Sequence, residues 1–221
     1  MLAESPWTLK FNTEDCCLPE TTVRTLVRAF CTHVGARLIH RQIRSADDLG
    51  FYVESMHGVR LGARVLWISA HGEFQRGNKH VVELSMPDHA HPIHGHRITP
   101  ADIKQHVARA GRTGLIVDSC LFGRNQPDWF LPPTVLYALT FTESVDFFCS
   151  ALFLFKALEW IFDGGSPKSG HVAYRRFRAG VRTGRVKTDQ LSLVELGRSL
   201  GARLYYRNGK GWETCGAPDF R

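Results

Sequence analysis

Two short apolar runs, VLWIS at 65–69 and GLIV at 114–117, constrain this chain more than any other stretch. Continuous apolar runs of this length suit strands covered on both faces, the situation of central strands in a parallel sheet flanked by helices. Each run ends in residues that carry chemistry. Ala70, His71, Gly72 and Glu73 follow the first; Asp118, Ser119, Cys120, Leu121, Phe122 and Gly123 follow the second. Open α/β sheets place their ligands at the carboxyl ends of their strands. A histidine and a cysteine at two such ends, 49 positions apart, are therefore expected to face one crevice.

With 221 residues the chain is long enough for one sizeable domain, spanning 1–221, and a second would be cramped. Charged residues at 22% and apolar residues at 43% exclude the disordered class. The net charge of +7 is partly clustered in Arg175, Arg176, Arg178, Arg182, Arg185 and Lys187, with Tyr174 and Phe177 interleaved. Charge alone has low specificity, so a solvated basic face outranks a nucleic-acid patch here. The six cysteines show no repeated CxxC spacing, and no basic segment leads into an apolar run at the amino terminus. Reduced thiols and a cytoplasmic location are the expectation. The most apolar stretch, 145–162, carries Asp146, Lys156 and Glu159, which suits a deeply packed helix better than a membrane span.

The rest of the chain alternates in the same way. A strand is expected at 7–12, and then a helix on which Val23, Leu26, Val27, Phe30, Cys31 and Val34 recur, ended by Gly35. A second strand covers 36–43, and Ser45 with Asp48 opens a second helix, leading to the strand before His71. A hairpin near 81–84 precedes a histidine-rich loop, and Thr99 with Pro100 starts another helix. A fifth strand is expected at 135–142 before the apolar helix. Ser192 with Glu195 opens a last helix, a strand covers 203–206, and Asn208-Gly209 signals a hairpin. The segment GARL occurs at 35–38 and at 201–204, each time where a helix passes into a strand. Such alternation predicts an α/β fold with a mainly parallel sheet of about six strands between two helical layers.

The chemistry read from the two strand ends is nucleophilic. A thiolate on Cys120 attacks a carbonyl, and the His71 imidazole stabilises it or protonates the departing amine. Backbone N–H groups of Gly72 and Cys120 are the natural oxyanion donors, and Gly72 keeps the approach of a substrate clear. Asp88, His89, His91, His94 and His96 raise the question of a metal, but Pro87 and Pro92 mark an exposed loop. No metal and no cofactor are expected.

SAHGE after one strand and DSC with Gly123 after the next resemble the caspase-like cysteine peptidases: caspases, metacaspases, legumains and bacterial CHAT-type domains. The order of elements from about Trp7 to Trp212 matches as well. FTESVDFFCSALFLFKALEW is similar to the fifth strand and following helix of small bacterial members. The resemblance implies a three-layer α/β/α caspase-like fold, a His71–Cys120 dyad and an oxyanion site at the amides of Gly72 and Cys120. Asp118 stands where metacaspases carry an aspartate lining the S1 pocket, which implies cleavage after arginine or lysine. Glu14 and Asp15 would add a second acidic wall. Only a short span, 121–134, separates the cysteine from the next strand, so maturation by cleavage there is not expected, and gating by a partner or signal is. The implied substrate is a protein, such as a gasdermin-like pore former or another effector of bacterial antiviral defence and cell death. A catalytically silent scaffold and a basic nucleic-acid-binding module are the competing classes.

Overall fold

A computed structural model describes residues 7–11, 20–41, 43, 45–55, 64–85, 97–183, 193–209, 211–216 and 219. Its first half runs β1 (Trp7–Phe11), α1 (Glu20–His33), β2 (Arg37–His40), α2 (Ala46–Ser55), β3 (Arg64–Ser69), β4 (His71–Gln75), β5 (Asn78–Ser85) and β6 (Arg97–Ile98). The second half runs α3 (Pro100–Val107), β7 (Thr113–Asp118), α4 (Pro127–Phe130), β8 (Val135–Phe141), α5 (Phe147–Phe162), α6 (Gly170–Thr183), α7 (Leu193–Ser199), β9 (Ala202–Asn208) and β10 (Gly211–Gly216).

Seven strands form one sheet in the order β10-β9-β8-β7-β3-β1-β2, one more than the expected six or so. The five strands from β2 to β8 are parallel, while β9 and β10 add an antiparallel edge. The fold is α/β with a mainly parallel sheet. Alternation along β3 explains the two layers of helix, since side chains on a strand point to opposite faces in turn. Leu66 and Ile68 join Leu49, Val53, Ile103 and Val107 in the core under α2 and α3. Val65 and Trp67 join Phe153, Leu154, Phe177 and Val194 in the core under α5, α6 and α7.

Local signals explain several boundaries. Thr99 caps α3 reciprocally: its hydroxyl accepts from the Asp102 N–H, and the Asp102 carboxylate accepts from the Thr99 N–H. Gly35 and Gly201, the first residues of the two GARL segments, both adopt positive φ, 68° and 62°, where α1 and α7 hand over to strands.

One expectation about the helices is corrected. α5 is not buried all round: Phe148 and Leu152, one turn apart, are 37% and 38% exposed. The basic stretch lies largely on α6, where Arg175, Arg178 and Arg182 are exposed, as expected of a solvated basic face, and the interleaved aromatic residues are packing groups. Phe177 is fully buried, and Tyr174 stacks on Tyr206 with ring centroids 4.2 Å apart. Arg176 donates to the carbonyls of Ile161, Gly164 and Gly165 and so closes the end of α5. Arg185 and Lys187 lie outside the described residues. No helix among the described residues is long and apolar enough to cross a membrane.

Candidate active site

β3 and β7 are hydrogen-bonded neighbours with Ser69 opposite Asp118, and the Ala70 N–H donates to the Asp118 carbonyl at 3.1 Å. That register holds the two chemical strand ends level. His71 follows two residues beyond Ser69, and Cys120 two beyond Asp118. The half-buried His71 opens β4, and its ring stands edge-on to Phe147, the first residue of α5, with centroids 6.1 Å apart. The half-buried Cys120 thiol lies against Val145, whose N–H donates to the sulfur at 3.3 Å. A backbone dipole therefore points at the sulfur.

The two ends touch through their backbones. A Cβ on Gly72 would lie 1.9 Å from the Cys120 carbonyl oxygen and 2.6 Å from the Ser119 hydroxyl. Glycine at 72 therefore has a further reason beyond the expected one: it makes room for the cysteine loop itself. Ser119 is fully buried, and its hydroxyl has no hydrogen-bond partner among the described residues.

Asp118 is also fully buried. One carboxylate oxygen accepts from the Trp67 indole N–H at 3.3 Å and from the Ser69 hydroxyl at 3.2 Å; the other accepts from the Ser150 hydroxyl at 2.7 Å. The carboxylate thus ties β3, β7 and the first turn of α5 together beneath the cysteine. Its burial and its three donors enclose it, whereas an S1 residue is expected to line an open pocket.

The loop after Cys120 is braced on several sides. Leu121 has φ +61°, the one positive value among the described non-glycine residues, a conformation that costs roughly 1–2 kcal/mol. Tertiary contacts hold it there. Its N–H donates to Glu143, Arg124 donates to the Thr142 carbonyl at 2.7 Å, and the Tyr205 hydroxyl donates to the Gly123 carbonyl at 2.9 Å. Asn125, 1% exposed, uses its amide as a strand partner: it accepts from the Val82 N–H and donates to the Val82 carbonyl, each at 2.9 Å. Because β5 pairs with β4, Asn125 fastens the cysteine loop to the hairpin that carries His71.

Sequence reasoning missed Asn125, Ser150 and the conformation of Leu121. A lone hydroxyl in the apolar helix was the available signal for Ser150; the other two have none. Glu14, Asp15 and the loop holding His89, His91, His94 and His96 lie outside the described residues, and among the described residues no cluster of metal-ligating side chains occurs.

No protein-family model matches the chain, and no curated protein matches it. The site's chemistry therefore rests on its geometry. Four cysteines among the described residues, Cys31, Cys120, Cys149 and Cys215, form no disulfide. Cys31 and Cys215 are 3% exposed, and burial pushes the Cys215 thiol up to about 11. Cys149 is more open, but its thiol is pushed up by burial and then by the adjacent Asp146. Brief iodoacetamide treatment of the folded protein at neutral pH should therefore alkylate Cys120 first among these four. Peptide mapping that finds the label on Cys149 or Cys215 with Cys120 untouched would contradict this.

Proposed function

We propose that this chain is a cysteine endopeptidase of the caspase-like type, with Cys120 as nucleophile and His71 as its acid–base partner. The observation that carries this reading is the contact of Gly72 with the Cys120 carbonyl, where two parallel neighbouring strands deliver a histidine and a cysteine to one edge of the sheet. A thiolate attacks the scissile carbonyl, the amides of Gly72 and Cys120 receive the oxyanion, and the imidazole protonates the leaving amine. Water then releases the acyl group from sulfur. The substrate is a protein, and a gasdermin-like pore former or another cell-death effector is the class that the resemblance suggests. The short span between Cys120 and β8 is packed down by Phe122 and Phe130, both fully buried, in keeping with an enzyme that works as a single chain.

Preference for arginine or lysine at P1 belongs to this proposal and rests on Asp118. Its enclosure makes a sharp demand, because direct contact with a substrate guanidinium requires Ser150 and the start of α5 to give way. Without that movement the carboxylate acts as scaffolding.

Fluorogenic peptides with Arg, Lys or Asp at P1 test the proposal against wild type, Cys120→Ala and His71→Ala. Cleavage by wild type after a basic residue, with a loss of about 10³-fold or more in kcat/KM for either variant, is the expected result. Undiminished cleavage by Cys120→Ala, or no cleavage by wild type of any peptide or candidate effector under activating conditions, would overturn the assignment.

A further inference from the structure

At the opposite end of the sheet from Cys120 lies a cavity of about 450 Å³, within the size range of small-molecule sites. It is lined by the starts of β3, β7 and β8 and by Ser166, Pro167 and Lys168, just before α6. Three cationic side chains, Arg64, Arg112 and Lys168, line it, and no Asp or Glu does so among the described residues. Like charges around one void repel each other, and an anion in the void removes that cost.

Backbone carbonyls hold two of the three cations. Arg64 donates to the Ala110 carbonyl at 3.1 Å, and Arg112 donates to the Lys168 carbonyl. Neither the remaining N–H groups of Arg112 nor the Lys168 ammonium has a partner among the described residues. A second, independent observation points the same way. Tyr137, which lines the cavity, is 1% exposed, and its hydroxyl has no hydrogen-bond partner. Buried tyrosine hydroxyls normally have one. Gly114, also in the lining, makes room for it: a Cβ there would lie 2.4 Å from the hydroxyl oxygen.

The remaining walls combine apolar Leu136, Phe162 and Pro167 with the small polar residues Thr113 and Ser166. Such a cavity is too large for a bare phosphate and too apolar for a polyanion. We propose that it binds a phosphate monoester bearing a planar ring, of about mononucleotide size, with the phosphate on Arg112 and Lys168 and the Tyr137 hydroxyl donating to it. The site shares no residue with the proposed dyad, so its occupancy and the peptidase reading stand or fall separately.

Calorimetry on the full chain with AMP, inorganic phosphate and adenosine tests this. AMP should bind, phosphate should bind more weakly, and adenosine should give no heat. Lys168→Glu reverses an exposed charge and should weaken AMP binding at least about tenfold without lowering the melting temperature of the free protein. Tyr137→Phe removes a hydroxyl with no partner in the free protein, so it should fold at least as well as wild type and still bind AMP more weakly. Absence of AMP binding at low-millimolar concentration would overturn the proposal, as would AMP affinity unchanged in both variants. Phosphate bound as tightly as AMP would overturn the ring-binding part.

Discussion

Gly72→Ala is expected to be the most damaging glycine-to-alanine change among the described residues. Its Cβ would stand 1.9 Å from the Cys120 carbonyl oxygen and 2.9 Å from the carbonyl carbon. Overpacking costs about 1–3 kcal/mol where side chains can adjust, and a backbone obstacle on a braced loop puts this case at or above the top of that range. Either the hairpin lifts or the cysteine loop retreats, and in both cases His71 and Cys120 separate. Urea denaturation should show a lowered midpoint, and peptidase activity should fall further than the folded fraction does. Gly77→Ala is the control: it has φ +81° and open space around it, so only the left-handed conformation, about 1 kcal/mol, is at stake. A Gly72→Ala protein with wild-type midpoint and activity would show that the two strand ends are not in the contact described.

Asp118→Ala should be comparably severe for a different reason. Three buried donors, from Trp67, Ser69 and Ser150, would lose their acceptor, and hydrogen bonds to charged groups are worth about 1.5–3 kcal/mol each. These losses do not add in full, because the hydroxyls of Ser69 and Ser150 can rotate toward other acceptors, whereas the Trp67 N–H cannot. A loss of about 3–5 kcal/mol is expected. Asp118→Asn keeps the shape and can still accept from Trp67 and Ser69 while donating to the Ser150 oxygen, so it should cost about 1–2 kcal/mol and remain folded. The asparagine variant thus separates scaffolding from specificity. Cleavage after arginine that disappears in a folded Asp118→Asn protein supports the S1 role; unchanged kcat/KM there leaves Asp118 a structural residue alone.

Much of the framework could be read in advance because it depends on local rules. The strands at 65–69 and 114–117, the Thr99 cap and the two glycine-ended helices follow from short-range pattern and capping chemistry. β10 was only hinted at by Asn208-Gly209, because GWETCG has little strand character and its place depends on pairing with β9. α6 was hidden by its arginines, although Ala173, Phe177, Gly180 and Val181 recur at helical spacing. At the candidate site, His71 and Cys120 were visible because each ends an apolar run. Asn125, Ser150 and Leu121 were not, since their roles arise from partners 43, 32 and 22 residues away with no spacing of their own.

Only Ala70 separates the last residue of β3 from the first of β4. The imidazole therefore has no loop to absorb motion, and its direction follows the twist of the large sheet at the end of β3 together with the pairing of β4 with β5 in the smaller three-stranded sheet. Substitutions that change how β1, β3 and β7 coil about one another, even far from the thiol, should misaim the histidine in a protein that remains well folded.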